Sequence, residues 1–201
     1  MGLLSCYPVI LLSCLYSLNG LSDEAVKVRI GQHSYKIPVM FLAGKLPSGT
    51  VSGVSLKIPY QDLGIQNATE YSAVVLLSDV DDFTAQYQVN LSAYNAWFGG
   101  GLYNDKIIEW HKGSGLYKVG AKASYPMFWN YFKVAPESSM DLQDSWVASC
   151  TEGIKGKVLC DQVIVMGDTQ SKLSIKGDYV GDIETFITHY KRHLDSWKQS
   201  E

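Results

Sequence analysis

The sequence predicts an α+β fold, a mainly antiparallel sheet with a C-terminal amphipathic helix packed on it. Three observations predict it. Short segments alternate apolar and polar residues along much of the chain, as strands with one buried face do. Turns rich in glycine and serine separate these segments. The chain then closes on one run, Asp182 to Trp197, whose apolar residues recur at helical spacing. Many short strands followed by a single terminal helix are the order of an α+β protein.

Composition narrows what such a fold can do. The chain has 201 residues, 46% of them apolar and 18% charged, enough for one hydrophobic core and too few charges for a disordered polyelectrolyte. Lysine and arginine number 17 against 20 acids, for a net charge of −3, which supplies no broad cationic face for nucleic acid or anionic lipid. Thirteen tyrosines and five tryptophans suit sheets and partner surfaces.

The first charged residue is Asp23, and the apolar stretch from Tyr7 to Leu18 has the length of a signal-peptide core rather than a spanning helix. Residues 1–20 read as a leader and 21–201 as a single α+β domain. Leu11-Leu12-Ser13-Cys14 resembles a bacterial lipobox, in which the Cys14 thiol carries the lipid after cleavage. Plain secretion with cleavage nearer Gly20 is the alternative, and a buried strand or membrane anchor is a third reading.

Val26, Val28 and Ile30 alternate with polar neighbours, and after Gly31-Gln32-His33-Ser34 the pattern resumes at Tyr35 and Ile37, predicting a β-hairpin. Pro38 ends its second strand or places it at an edge. Gly44 to Gly49 is a loop, and Val54 to Ile58 is a strand that stops at Pro59. Tyr71 to Leu77 is apolar almost throughout, as a central strand or a buried helical segment would be. Gln86 to Leu91 alternates again. Ile107 to Trp110, Leu116 to Val119 and an aromatic group at Tyr125, Phe128, Trp129, Tyr131 and Phe132 follow. Trp146 to Ala148, Lys157 to Cys160, Val163 to Met166 and Lys172 to Lys176 are further strands. In the terminal helix Asp182 is an N-cap, Ile183, Phe186, Ile187, Tyr190, Leu194 and Trp197 form the buried face, and Lys191, Arg192 and Lys198 suit the negative end.

Cys150 and Cys160 form the one cysteine pair outside the leader. In an oxidising compartment they read as a disulfide stapling a hairpin. Their spacing is not CxxC and no histidine lies near, so zinc and redox roles are poorer readings. His189 and His193 stand i,i+4 but lack the zincin glutamate and flank two cations, which makes them boundary residues rather than metal ligands. Gly49 to Gly53 and Gly113-Ser114-Gly115 do not form a nucleophile elbow. No catalytic, metal or cofactor residue is assigned.

Two sets of residues are candidates for partner binding. Asp79, Asp81 and Asp82 form an acidic turn that can meet a cationic partner. Trp97, Phe98 and Tyr103 belong to a tryptophan- and glycine-rich loop centred on Gly99-Gly100-Gly101, where aromatic anchors cost little ordering entropy. Trp97 closing one end of the core is the structural alternative.

The Leu11 to Cys14 leader, the opening Val28-Arg29-Ile30 and Tyr35-Lys36-Ile37-Pro38 pair, Cys150 with Cys160, and the helix from Asp182 to Trp197 together resemble small periplasmic immunity lipoproteins of type VI secretion effectors. The resemblance touches both ends of the chain and leaves its middle third unmatched. It implies a periplasmic or envelope protein, alternatively a secreted one, that occludes a toxic hydrolase and catalyses nothing. The residues call for no cofactor, and the charge balance calls for no nucleic acid and no membrane contact beyond a lipid anchor. A structural envelope lipoprotein and a secreted hydrolase with a site assembled from distant residues are the alternatives.

Overall fold

The computed structural model describes residues 24–68, 70–80, 106–121, 126–135 and 145–200. Strands β1 (Ala25–Ile30) and β2 (His33–Pro38) form the expected hairpin, and β3 (Gly49–Thr50) adds to β1 in parallel. The turn is tighter than the sequence implied, since His33 and Ser34 already pair with Ile30 and Arg29. Gly31 takes φ 56°, and a Cβ there would stand 2.9 Å from the Asp79 Oδ2, so both backbone freedom and close approach call for glycine.

The larger sheet contains β4 (Gly53–Pro59), β5 (Ser72–Asp79), β6 (Lys106–His111), β7 (Leu116–Ala121), β8 (Phe128–Phe132), β9 (Trp146–Glu152), β10 (Val158–Met166) and β11 (Thr169–Lys176). Its order is β4-β5-β11-β10-β9-β8-β7-β6, and every pairing is antiparallel. The apolar run at Tyr71 to Leu77 is therefore strand. It lies between β4 and β11, with Ala73, Val75 and Leu77 inward while Val74 and Leu76 face out. The two short segments expected around Cys160 and Val165 are one strand, β10. Asp161 in its middle is accommodated because Lys172 pairs with it at 2.9 Å and the Ser174 hydroxyl donates to it.

Helix α1 (Ile183–Trp197) covers the inner face of β11 and buries Ile183, Phe186, Tyr190, Leu194 and Trp197 as the spacing predicts, while Ile187, expected on the same face, is half-buried at its margin. Phe186 packs edge-on to Tyr60 at 4.7 Å, and Trp197 lies 5.4 Å from Phe41. The Tyr60 hydroxyl accepts the Lys176 N–H at 2.8 Å, which joins this aromatic layer to the end of β11. Each large apolar side chain buried here contributes about 1.5–3 kcal/mol.

Both helix ends differ from expectation. Asp182 occupies the N-cap position, but its carboxylate makes no capping bond, because the chain enters through a 3-10 turn over Gly177–Asp182 and the Ile183 N–H donates to the Val180 carbonyl instead. No cation lies in the last turn, since Lys191 and Arg192 fall earlier and Lys198 is the C-cap.

Candidate functional site

One row of side chains links the core to the surface. Reading across β11, β10, β9, β8, β7 and β6, the register aligns Ile175, Cys160, Cys150, Trp129, Gly120 and Ile107. Cys150 and Cys160 oppose each other directly and are bonded as a disulfide, so the staple joins neighbouring strands in the buried layer. Gly120 leaves room beside Trp129, where an added Cβ would stand 3.5 Å from the indole-bearing carbon. Trp129 is thereby seated at the boundary between the core and an open cleft.

That cleft has a volume of about 490 Å³ and is lined by His111, Ser114, Lys118, Trp129, Glu152 and Asp178, among others. Its walls come from the β6–β7 turn, the ends of β9 and β10, and the 3-10 turn before α1. Gly177 lets the last wall approach Val158, and Gly181 lets it approach the Ser114 carbonyl, which a Cβ would meet at 2.9 Å. Lys118 Nζ sits 4.1 Å from the Trp129 ring centroid, in cation–π contact. The Trp129 N–H has no acceptor at hydrogen-bonding geometry, and its polar neighbour is the Tyr131 hydroxyl. Burial raises the Tyr131 pKa above its ordinary value and keeps the phenol neutral.

Serine and histidine do meet in this cleft. Ser114 Oγ lies 2.8 Å from His111 Nδ1, and the Ser114 N–H donates to the same nitrogen at 3.3 Å. With that nitrogen accepting from the backbone, the hydroxyl is its second donor, and the pair closes a four-residue hairpin turn. Among the described residues no carboxylate pairs with His111, so nothing completes a catalytic triad around it. The sequence offered no nucleophile elbow at Gly113-Ser114-Gly115; the i,i+3 spacing of His111 and Ser114 across a turn was the available signal.

The remaining histidines hold elements together. His193 Nε2 lies 3.0 Å from the Asp62 carbonyl oxygen, and its ring stacks on Trp197. His189 packs against Gly64, and both histidines are half-buried, at the helix boundary where the sequence placed them. His33 pairs with Asp168 at 2.7 Å. Among the described residues, no three His, Cys, Asp or Glu side chains gather as a metal site.

Of the partner-binding candidates, Asp79 is described. It ends β5 opposite Thr169 and abuts the Gly31 turn. Asp81, Asp82, Trp97, Phe98 and Tyr103 lie outside the described residues, as does Cys14. Trp110, beside the cleft in β6, is 55% exposed and packs on Tyr117. Among the described residues, no helix is long and apolar enough to cross a membrane.

These elements define an α+β protein with a meandering antiparallel sheet, a C-terminal helix on one face and a cleft lined by His111, Ser114, Lys118 and Trp129. A solved structure of this kind is an immunity protein of the Stenotrophomonas maltophilia type IV secretion system, which aligns with 89% of this chain and 95% of its own at a TM-score of 0.55. The two sequences are 10% identical, so the likeness is one of fold. Its secretion system is type IV, where the resemblance read from the sequence was to type VI proteins. No protein-family model matches the chain, and no curated protein matches it.

Proposed function

We propose that this chain is a non-enzymatic protein of the cell envelope that binds and neutralises a protein partner, a toxic secreted hydrolase. The observation that carries this reading is the fold shared along nearly the whole of both chains with a secretion-system immunity protein. In this reading residues 1–20 are a leader, with Cys14 lipidated or the chain released to the periplasm, and 21–201 act as one domain. Trp97, Phe98 and Tyr103 supply apolar anchors, and Asp79, Asp81 and Asp82 supply charge complementarity. With a net charge of −3, that complementarity is local rather than long-range.

The test is affinity purification of the epitope-tagged chain from its native host, then titration of the purified chain into any hydrolase recovered. Stoichiometric loss of hydrolase activity, relieved by Trp97→Ala or Asp81→Ala, is the expected result. Hydrolysis of a substrate by this chain alone, abolished by Ser114→Ala, would overturn the reading in favour of an enzyme.

A further inference from the structure

Three residues far apart in the chain meet around one imidazole nitrogen. His33 opens β2, Asp168 lies in the turn between β10 and β11, and Lys198 follows α1 as its C-cap. His33 Nε2 stands 2.7 Å from Asp168 Oδ1 and 3.3 Å from Lys198 Nζ. An imidazole nitrogen offers one in-plane site, either an N–H that donates or a lone pair that accepts. Only the N–H serves the carboxylate, and only the lone pair serves the ammonium. The two neighbours therefore compete, and either tautomer of the neutral ring leaves one of them unserved. The geometry shows which one loses. Asp168 Oδ1 is buried and receives no hydrogen bond, although the nitrogen lies so near.

Protonation reverses that outcome. An imidazolium carries an N–H on both nitrogens, so Nε2 can only donate to Asp168, and the ring's charge repels the Lys198 ammonium. Lys198 belongs to the segment that closes the opening hairpin. Its backbone bridges Tyr35, and the next amide, the Gln199 N–H, donates to the Ser34 carbonyl at 2.9 Å, beside His33.

We infer that His33 is a proton-operated latch on the C-terminal tail. The neutral ring accepts from Lys198 and holds the tail on β2, and the protonated ring turns to Asp168 and lets the tail go. Imidazoles exchange this proton between about pH 5 and 8. Tyr35 stands edge-on to His33 at 6.4 Å, and burial keeps its phenol neutral through that range. The other charged groups packed toward this corner are Asp195 of α1, whose field reaches Tyr35, and Asp79 of β5, which abuts the Gly31 turn. His193 of α1 is a second imidazole near the tail, but it faces the Asp62 carbonyl and stacks on Trp197. The latch acts within the chain and does not depend on the protein-binding reading.

Amide hydrogen exchange on the full chain, resolved by NMR and corrected for the intrinsic effect of pH, tests this. The Gln199 amide should be about fivefold less protected at pH 5 than at pH 8, the size of one hydrogen bond lost, while amides within β10 and β11 keep their protection. The His33 ring resonances should titrate with the same midpoint as that loss. In His33→Gln the side-chain amide offers an acceptor and a donor at once, so Gln199 protection should be equal at the two pH values. Lys198→Met removes one competitor and should likewise abolish the pH dependence. Equal protection of Gln199 at both pH values in the parent chain would overturn the latch. A loss that persists in His33→Gln would overturn it too and assign the effect to His193.

Discussion

Tyr190 of α1 and Ser171 of β11 share a hydrogen bond of 2.6 Å between hydroxyls, and both residues are fully buried. It is a polar contact in an otherwise apolar layer, and it fixes how far the helix can slide along the strand. Tyr190→Phe leaves the serine hydroxyl without that partner, so the expected loss is about 1–3 kcal/mol in urea unfolding. The double variant with Ser171→Ala should lose less than the sum of the two single changes, because neither polar group is then stranded. Strict additivity would show that the two hydroxyls are uncoupled.

Four tyrosines set the alkaline limit. Tyr35, Tyr60, Tyr131 and Tyr190 all have pKa values raised, chiefly by burial, with Tyr190 raised the most. Below a pH of about 10 both folded and unfolded states keep these protons and stability is unaffected. Above it the unfolded chain ionises first, so stability falls as pH rises. Tyr190→Phe should make this alkaline decline shallower by up to about 1.4 kcal/mol per pH unit. Unfolding midpoints measured from neutral to strongly alkaline pH, with phenolate absorbance recorded alongside, give the comparison.

Reducing the Cys150–Cys160 bond frees an unfolded-state loop with a sequence separation of 10, for an expected loss of about 2–3 kcal/mol. Since the two cysteines are already held opposite each other by strand pairing, the reduced protein should keep its sheet. Circular dichroism and urea unfolding with and without reductant separate these effects. Collapse of the β-sheet signal on reduction would show that the bond is needed for the fold to form.

Gly64 has φ 91°, and a Cβ there would stand 2.8 Å from both His189 Nε2 and Thr185 Cγ2. Gly64→Ala combines backbone strain with pressure on the outer side of α1, so a loss of roughly 1–3 kcal/mol is expected. A variant as stable as the parent would mean that the loop after Tyr60 relaxes away from the helix at no cost.

Much of the local structure was legible, and the reasons are local. Alternation in Val28, Ile30, Tyr35 and Ile37 marks which side of a strand faces inward, and the spacing from Ile183 to Trp197 does the same for the helix. The Tyr71 to Leu77 run was ambiguous because Val74 and Leu76 are apolar yet point outward. Strand order was not legible. Nothing near Ser72 or Thr169 announces that β5 and β11 are neighbours, since antiparallel pairing depends on shared burial rather than on a sequence code. The same limit hid the cleft. Lys118, Trp129, Glu152 and Asp178 come from four separate segments, and only the aromatic density around Trp129 and Tyr131 marked the region. Asp182 misled because an N-cap residue type is not an N-cap bond when a tighter turn precedes the helix.

The opening hairpin is completed from the far end of the chain. Lys198 bridges Tyr35, and the Gln199 N–H donates to the Ser34 carbonyl at 2.9 Å. Strands that leave the ribosome first therefore wait for residues synthesised some 160 positions later before their last backbone partners arrive. During that interval Tyr35 and Ile37 must be kept from other contacts. The hairpin therefore locks only when the C-terminal tail has reached it, so that end of the fold closes last.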